Sequence, residues 1–475
     1  MRITTRLPLV LTLLFSCVAA PLAAYAAQGL PPVVSDALKR SAIPQSAVGT
    51  YVQEVSGQTP WIAVNETTGF NPASTMKLVT SDAALELLGP TFNWKTQAYM
   101  TGTLNGDVLD GDLIIKGSGD PKLVTENFWQ FLRKIRASGI REIRGNLILD
   151  RSIFEEMPYD AAQFDGDPLK PYNAGPDALL LNYKVFAFHF LPNPARNQVD
   201  ISVDPPVATY PVMAPTLTNG PCVDWQGKLM PTMGRVSTNF AGSYSAACGE
   251  KTWYLHPYLM SHSEYFGVVF RQLWTDVGGV FNGAVNNGQV PPAARLVTEW
   301  QSTSLPEVIR DINKYSNNVM ARQLLLTVAA DVLKVPASPE RGARVVKTWL
   351  ANKGMDTSQV VIENGSGLSR TERIPVGVMG RMLVSTFQSP TMPEFMSSLP
   401  LVGYDGTMRK RLTKQTVAGR AHIKTGTLND VRAIAGYVLA ASGKRYAVVC
   451  IINHPNAVNG QAAHDALLQW IYENG

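Results

Sequence analysis

The stretch Asn71-Pro72-Ala73-Ser74-Thr75-Met76-Lys77, running into the apolar segment from Leu78 to Leu88, constrains this chain more than any other. Asn71 suits an N-cap and Pro72 a first helical position, so the sequence predicts a helix that starts here. Ser74 and Lys77 are three apart and would share one face, a single turn from each other. A serine hydroxyl is a weak nucleophile until a base takes its proton, and S-x-x-K sets an amine beside it. The positive end of the helix dipole and any burial both disfavour the ammonium form, which brings a neutral amine within reach. Taken alone the pattern is short and recurs in ordinary amphipathic helices.

Two further short motifs follow in order. Ser316-Asn317-Asn318 lies between two helical segments, and Lys424-Thr425-Gly426-Thr427 precedes a strand pair near the C-terminus. Each by itself reads as a solvated turn or a strand end; together with S-x-x-K they make a set that acyl transfer requires. Ser74 would attack, Lys77 would accept its proton, and the Ser316 hydroxyl would relay a proton to the leaving amine. Asn318 would hold the lysine and the substrate backbone. Lys424 with Thr425 offers a cation and a hydroxyl to a free terminal carboxylate, and Gly426 allows a substrate backbone to approach closely. The N–H groups of Ser74 and Thr427 would form an oxyanion hole.

Residues 1–26 read as a cleaved secretory signal, with Arg2 and Arg6, an apolar run from Leu7 to Ala20 and the small-residue site Ala24-Tyr25-Ala26. The formal charge of +5 falls by those two arginines on cleavage and no basic block follows, so nothing points to nucleic acid. No later stretch reaches the about 20 apolar residues of a membrane span, and no transmembrane anchor is expected. Cys222 and Cys248 lie in a Gly/Ser/Pro-rich region of an exported chain, where a disulfide would be a useful staple. Cys450, inside the apolar run from Tyr446 to Ile452, reads as a packed free thiol. No cysteine spacing suits zinc, and no metal or cofactor is implied.

Strand signals dominate between Val48 and Val64, again from Trp94 to Leu149, and at Ala433–Leu439 and Tyr446–Ile452. Helical patterns occupy Asn127–Ser138, Tyr265–Val277, Asn318–Leu333, Ala343–Lys353 and Asn459–Tyr472, and a helix start is read at Ser304-Leu305-Pro306-Glu307. The region from Asp150 to about Trp253 is rich in proline, tyrosine and short alternations, consistent with β structure.

With these motifs in place the chain resembles the penicillin-recognising serine enzymes, and among them the class C low-molecular-mass D-alanyl-D-alanine carboxypeptidases of the penicillin-binding protein 4 type. Lys116-Gly117-Ser118-Gly119-Asp120-Pro121-Lys122-Leu123 is similar to that family's G-x-G-D-P-x-L segment. Glu363-Asn364-Gly365-Ser366-Gly367-Leu368-Ser369-Arg370 is similar to its D-G-S-G-L-S-R, with Asn364 where an Asp is common. Leu399 to Thr407 resembles its Leu-Pro…Asp-Gly-Thr loop. Ser316 follows Ser74 by 242 residues, the long separation this class fills with inserted domains.

The resemblance implies an α/β (α+β) transpeptidase-like domain built from residues 27–91 and 280–475, interrupted by a mostly β insertion over 92–279 that comprises two nested domains. It implies a periplasmic serine hydrolase that removes terminal D-alanine from peptidoglycan peptides, cleaves D-alanyl cross-links and is acylated by β-lactam antibiotics. Two roles are open to Asp120: binding the peptide stem of the substrate together with Arg370, or capping a Gly-Asp-Pro turn. A histidine-based hydrolase is disfavoured, because there is neither an H-E-x-x-H motif nor a G-x-S-x-G elbow; His422 reads as a structural or rim residue. A β-lactamase would need a compact Glu-bearing loop that is not recognisable here. A non-catalytic penicillin-binding scaffold would have no need of the full motif set.

Overall fold

A computed structural model describes residues 29–475; the expected signal peptide lies outside them. At the centre is a five-stranded sheet that joins the two ends of the chain. Its order runs Ile62–Val64, Val48–Glu54, Arg445–Asn453, Val431–Leu439, Ala421–Leu428. All its pairings are antiparallel, with Thr50 opposite Cys450 and Ile434 opposite Cys450 on the other side. The strand Arg445–Asn453 is central and covered on both faces, which is why Tyr446 to Ile452 is apolar without alternation. Ala447, Val449 and Ile451 pack with Met76, Leu78, Ile312 and Met379 in one layer. Val448, Cys450 and Ile452 pack with Val34, Leu38, Leu467 and Ile471 from the helices Pro32–Arg40 and Gln461–Asn474 on the other. Cys450 is a buried free thiol, and burial pushes its pKa up to about 12.

The layer that carries the site holds the helices Met76–Leu88, Leu305–Tyr315, Asn318–Leu333 and Val376–Phe387. Ser304 and Glu307 form a capping box at the start of Leu305–Tyr315, as the sequence predicts. That helix ends in a left-handed Ser316 (φ 58°), and the Asn317 side chain caps the next one by accepting from the Met320 N–H at 3.0 Å. The sharp joint between the two helices therefore sets Ser316 and Asn318 side by side.

The insertion extends further than the sequence predicts. The strands Val280–Phe281, Val285–Asn287 and Arg295–Ser304 pair with Glu142–Ile143, Leu147–Asp150 and Asn93–Met100, so the chain returns to the central domain at Leu305 and not at 280. Polar residues along Arg295–Ser304 hide its strand character, because one side of it is exposed. The insertion is mostly β, with two helices where the sequence predicts them. One part combines a five-stranded and a four-stranded sheet, several of whose pairings are parallel, with the helices Thr125–Ala137 and His262–Asp276. The other, from Phe186 to Leu255, holds only small sheets and 3-10 turns, with Cys222 and Cys248 disulfide-bonded. Among the described residues no helix is long and apolar enough to cross a membrane.

One helix, Asn318–Leu333, receives the insertion. Gln323 accepts from the Asp177 N–H at 2.8 Å and donates to the Asp177 and Gly119 carbonyls at 2.7 and 3.2 Å. Arg322 donates to the Tyr172 and Ala174 carbonyls and the Tyr159 hydroxyl, and the Trp94 indole donates to Thr327. Buried side chains with this many neutral and charged hydrogen bonds fix one docking geometry, since leaving any of them unmade is costly.

Candidate active site

Ser74 is half-buried in a tight turn, Ala73–Thr75, that precedes the α-helix Met76–Leu88. The helix therefore starts later than Asn71 and Pro72 predict. Asn71 still caps, accepting from the Ala73 N–H at 2.9 Å, but Ala73 is left-handed (φ 45°) and breaks the helical path. This strained turn is held from two sides. Asn71 and Asn453 exchange side-chain-to-backbone bonds at 2.7 and 3.0 Å, and the Asn71 amide donates to the Ser369 carbonyl at 2.9 Å. Backbone strain of this kind persists only where the surroundings over-determine it.

Lys77 is fully buried. Its Nζ lies 3.1 Å from Ser74 Oγ, 2.6 Å from Asn318 Oδ1 and within hydrogen-bond reach of the Ser366 carbonyl. The two carbonyl oxygens can only accept, so they take two N–H bonds. A neutral amine has two N–H groups and one lone pair, and the lone pair is then left facing the Ser74 hydroxyl. Burial, followed by the charges of Lys424 and Arg322, holds Lys77 well below the ordinary lysine range. The electrostatics favour the neutral form, and the geometry accommodates it.

Lys424 lies in the edge strand Ala421–Leu428, so the K-T-G stretch is itself part of the sheet. Fully buried, it donates to Ser316 Oγ at 2.9 Å and to the Thr425 carbonyl at 2.7 Å, and burial draws its pKa down to about 7. The Thr425 hydroxyl is half-exposed and bonds the exposed Thr407 hydroxyl at 2.8 Å, while Thr427 is exposed. Thr407 is delivered by the Asp405-Gly406 loop, which Lys314 ties to the helix ending at Tyr315 through a 2.6 Å ion pair with Asp405. Gly426 also has a use within the fold. A Cβ there would meet the Pro72 carbonyl at 2.7 Å, so its smallness lets the strand lie against the serine turn.

Sequence reasoning missed the support beneath Lys77. Gly367 (φ 78°) presses on the serine turn so closely that a Cβ would fall 1.8 Å from the Ala73 carbonyl. Behind this loop the fully buried Glu372 accepts the N–H groups of Glu363, Asn364 and Gly365 at 2.9–3.1 Å. Asn364, at the position where an Asp is common in similar sequences, accepts from the Ser366 N–H and hydroxyl and holds the turn that presents the Ser366 carbonyl. No side-chain motif announces a backbone carbonyl, which is why this ligand of Lys77 was not legible.

Asp120 is buried at the joint between the insertion and the helices Leu305–Tyr315 and Asn318–Leu333, where its neighbours Gly119 and Lys122 bond Gln323 and Asp311. It is 2 % exposed, its Oδ1 caps the Lys122 N–H at 2.8 Å, and Oδ2 has no partner. Oδ1 therefore makes the cap expected of a Gly-Asp-Pro turn. Gly117 and Gly119 explain the motif: a Cβ on either would collide with the Ala178 carbonyl or the Phe154 ring. Burial pushes Asp120 up to about 7. A carboxyl raised in the folded state contributes less stability as pH rises, here between about 4 and about 7. Asp120→Asn should remove that decline in urea or thermal melts and leave D-alanine release unchanged.

Arg370 stands apart from Asp120, exposed at the rim. It pairs with Asp430 at 3.5 Å and lies 4.7 Å over the Phe164 ring. Phe164 and Leu368 pack on Ala73, so this rim adjoins the serine turn. His422 is half-buried and away from these contacts, with its pKa lowered by burial.

The profile of the D-Ala-D-Ala carboxypeptidase 3 (S13) peptidase family matches residues 32–473. The chain belongs to that family. D-alanyl-D-alanine carboxypeptidase DacB of Haemophilus influenzae is 26% identical over 397 residues, which cover 82% of this chain and 81% of that protein. The D-alanyl-D-alanine carboxypeptidase of Actinomadura sp. strain R39 is 26% identical over 389 residues, covering 78% and 71%. The crystal structure of penicillin binding protein 4 from Haemophilus influenzae has a TM-score of 0.77 at 24% identity and covers 92% of this chain and 99% of that one. That likeness shows the fold, a penicillin-recognising domain with inserted domains. The same protein has been solved complexed with a β-lactam, at a TM-score of 0.73.

Proposed function

We propose that this S13-family protein is an exported serine hydrolase that removes the terminal D-alanine of peptidoglycan stem peptides and cleaves D-alanyl cross-links. The observation that carries this is the buried Lys77 amine, with both N–H groups committed to Asn318 and Ser366 and its third position on Ser74. Ser74 Oγ attacks the carbonyl carbon of the penultimate D-alanine while Lys77 takes the hydroxyl proton. The developing oxyanion is met by the N–H groups of Ser74 and Thr427. The C–N bond breaks as the leaving amine takes a proton through Ser316, whose hydroxyl Lys424 orients. Thr425, backed by the Lys424 charge, receives the carboxylate of the departing residue. Water then hydrolyses the Ser74 ester and restores the hydroxyl.

A β-lactam presents the same acyl group and carboxylate, which supports covalent binding at Ser74. The relatives named as D-alanyl-D-alanine carboxypeptidases and the β-lactam complex of a similar fold favour the same reading. A purified pentapeptide ending in D-Ala-D-Ala should lose one D-alanine with wild type and none with Ser74→Ala. Equal release by both would overturn the assignment.

A further inference from the structure

A large cavity among the described residues is not lined by Ser74 or Lys77. It has a volume of about 1310 Å³ and lies where the insertion meets the central domain. Leu368 and Arg370 form part of its lining, and Lys184 and His256 belong to it where the insertion contributes the wall. The carboxylates Glu155, Asp160, Glu340 and Glu363 lie along it.

Lys184 is the anomaly of this cavity. It is 6 % exposed, and among the described residues its ammonium has no ion pair or hydrogen bond; the Nζ is not itself enclosed and opens onto the cavity. A buried charge without a partner is costly and is seldom kept without use. Burial disfavours the Lys184 charge, and the Asp177 and Glu264 carboxylates offset that only from a distance, since Asp177 is bonded to Arg151 through Nε at 2.8 Å and through Nη2 and Glu264 to Arg235. The backbone adds to the cost. Asn182, Tyr183 and Lys184 are three successive non-glycine residues in the left-handed region (φ 44°, 54° and 52°), which L-residues normally visit singly. The unusual turn is pinned by the Asn182 N–H on the Leu123 carbonyl at 2.9 Å.

His256 is the second unsatisfied group. It is 2 % exposed, its Nδ1 donates to the Pro168 carbonyl at 3.0 Å, and Nε2 has no partner. Since Nδ1 carries the proton and burial keeps the ring neutral, Nε2 is an acceptor in want of a donor. Tyr159 and Tyr258 supply aromatic wall.

We propose that the floor of this cavity binds a carboxylate of an acidic peptide, with Lys184 as its counter-ion and His256 Nε2 accepting an N–H from the same ligand. Resting on the substrate class proposed above, the ligand is a part of a cross-linked stem-peptide dimer distant from the reacting bond. The rim at Leu368 and Arg370 connects this floor to the serine turn, and the volume is ample for several residues of peptide.

The test is equilibrium calorimetry of a soluble cross-linked muropeptide dimer on the full chain bearing Ser74→Ala, which prevents turnover. Adding Lys184→Met or Lys184→Gln should weaken binding by about tenfold or more, the usual worth of a charge-assisted bond. The melting temperature should stay level or rise, because an unpaired buried charge is removed. Unchanged affinity in both variants would overturn the proposal, and so would lost affinity accompanied by a fall in melting temperature, which marks a structural lysine. Displacement of the dimer by millimolar inorganic phosphate would assign the floor to small anions and overturn the peptide reading. Failure of penicillin to label wild-type Ser74 would contradict the catalytic reading alone and leave the Lys184 comparison standing.

Discussion

Lys77→Arg is expected to slow acylation of Ser74 by about 10²–10⁴-fold, the usual contribution of a positioned general base. Lys77 has no exposed surface, and its two N–H groups are already spent on Asn318 and Ser366. A guanidinium in its place stays charged at every accessible pH and offers no lone pair to the Ser74 hydroxyl. The wild-type rate should rise with pH as the amine deprotonates and then level off. Because burial, Lys424 and Arg322 all lower the lysine pKa, this levelling comes well below the ordinary lysine range. Stopped-flow acylation by a chromogenic β-lactam across pH, with melting curves to confirm the fold, measures both. An Arg variant that keeps most of the rate would remove Lys77 from the role of base.

Lys424→Ala is expected to lower kcat/KM for D-alanine release by about 10–100-fold. The buried ammonium donates to Ser316 Oγ and to the Thr425 carbonyl, beside the hydroxyl proposed to receive the carboxylate, and charged hydrogen bonds contribute about 1.5–3 kcal/mol each. The loss should appear in both kcat and KM, since one lysine serves the relay hydroxyl and the carboxylate subsite. In the wild type, a cation with a pKa near about 7 is present below that pH and lost above it, so KM should rise on the alkaline side. Cross-link cleavage ends on the same kind of carboxylate and should suffer alike. Unchanged kinetics in Lys424→Ala would contradict the carboxylate subsite.

The parts of the site that were legible in the sequence are side chains in short motifs: Ser74 with Lys77, Ser316 with Asn318, and Lys424 with Thr425. Their types and order carry the chemistry, and the structure brings them into contact across a 242-residue separation. What stayed hidden is backbone and burial. The Ser366 carbonyl has no sequence signature, and Glu372 reads as a surface acid until three N–H groups are found converging on it. Asp120 was open to two readings because a Gly-Asp-Pro turn is usually solvated. Here the Ala178 carbonyl and the Phe154 ring, distant in sequence, press on the flanking Gly117 and Gly119, and Asp120 is buried. The helices and central strands were readable from their periodicity and caps. The return of the insertion was not, since Arg295–Ser304 is a half-exposed strand whose polar residues mask its pairing with Asn93–Met100.

The central claim is that Ser74 is the group acylated, with Lys77 as its base. Incubation of the wild type with benzylpenicillin, followed by proteolysis and peptide mass spectrometry, tests it most directly. The adduct should fall on the peptide containing Ser74 and vanish in Ser74→Ala. An adduct on Ser316, or none on the folded wild type, would contradict the account.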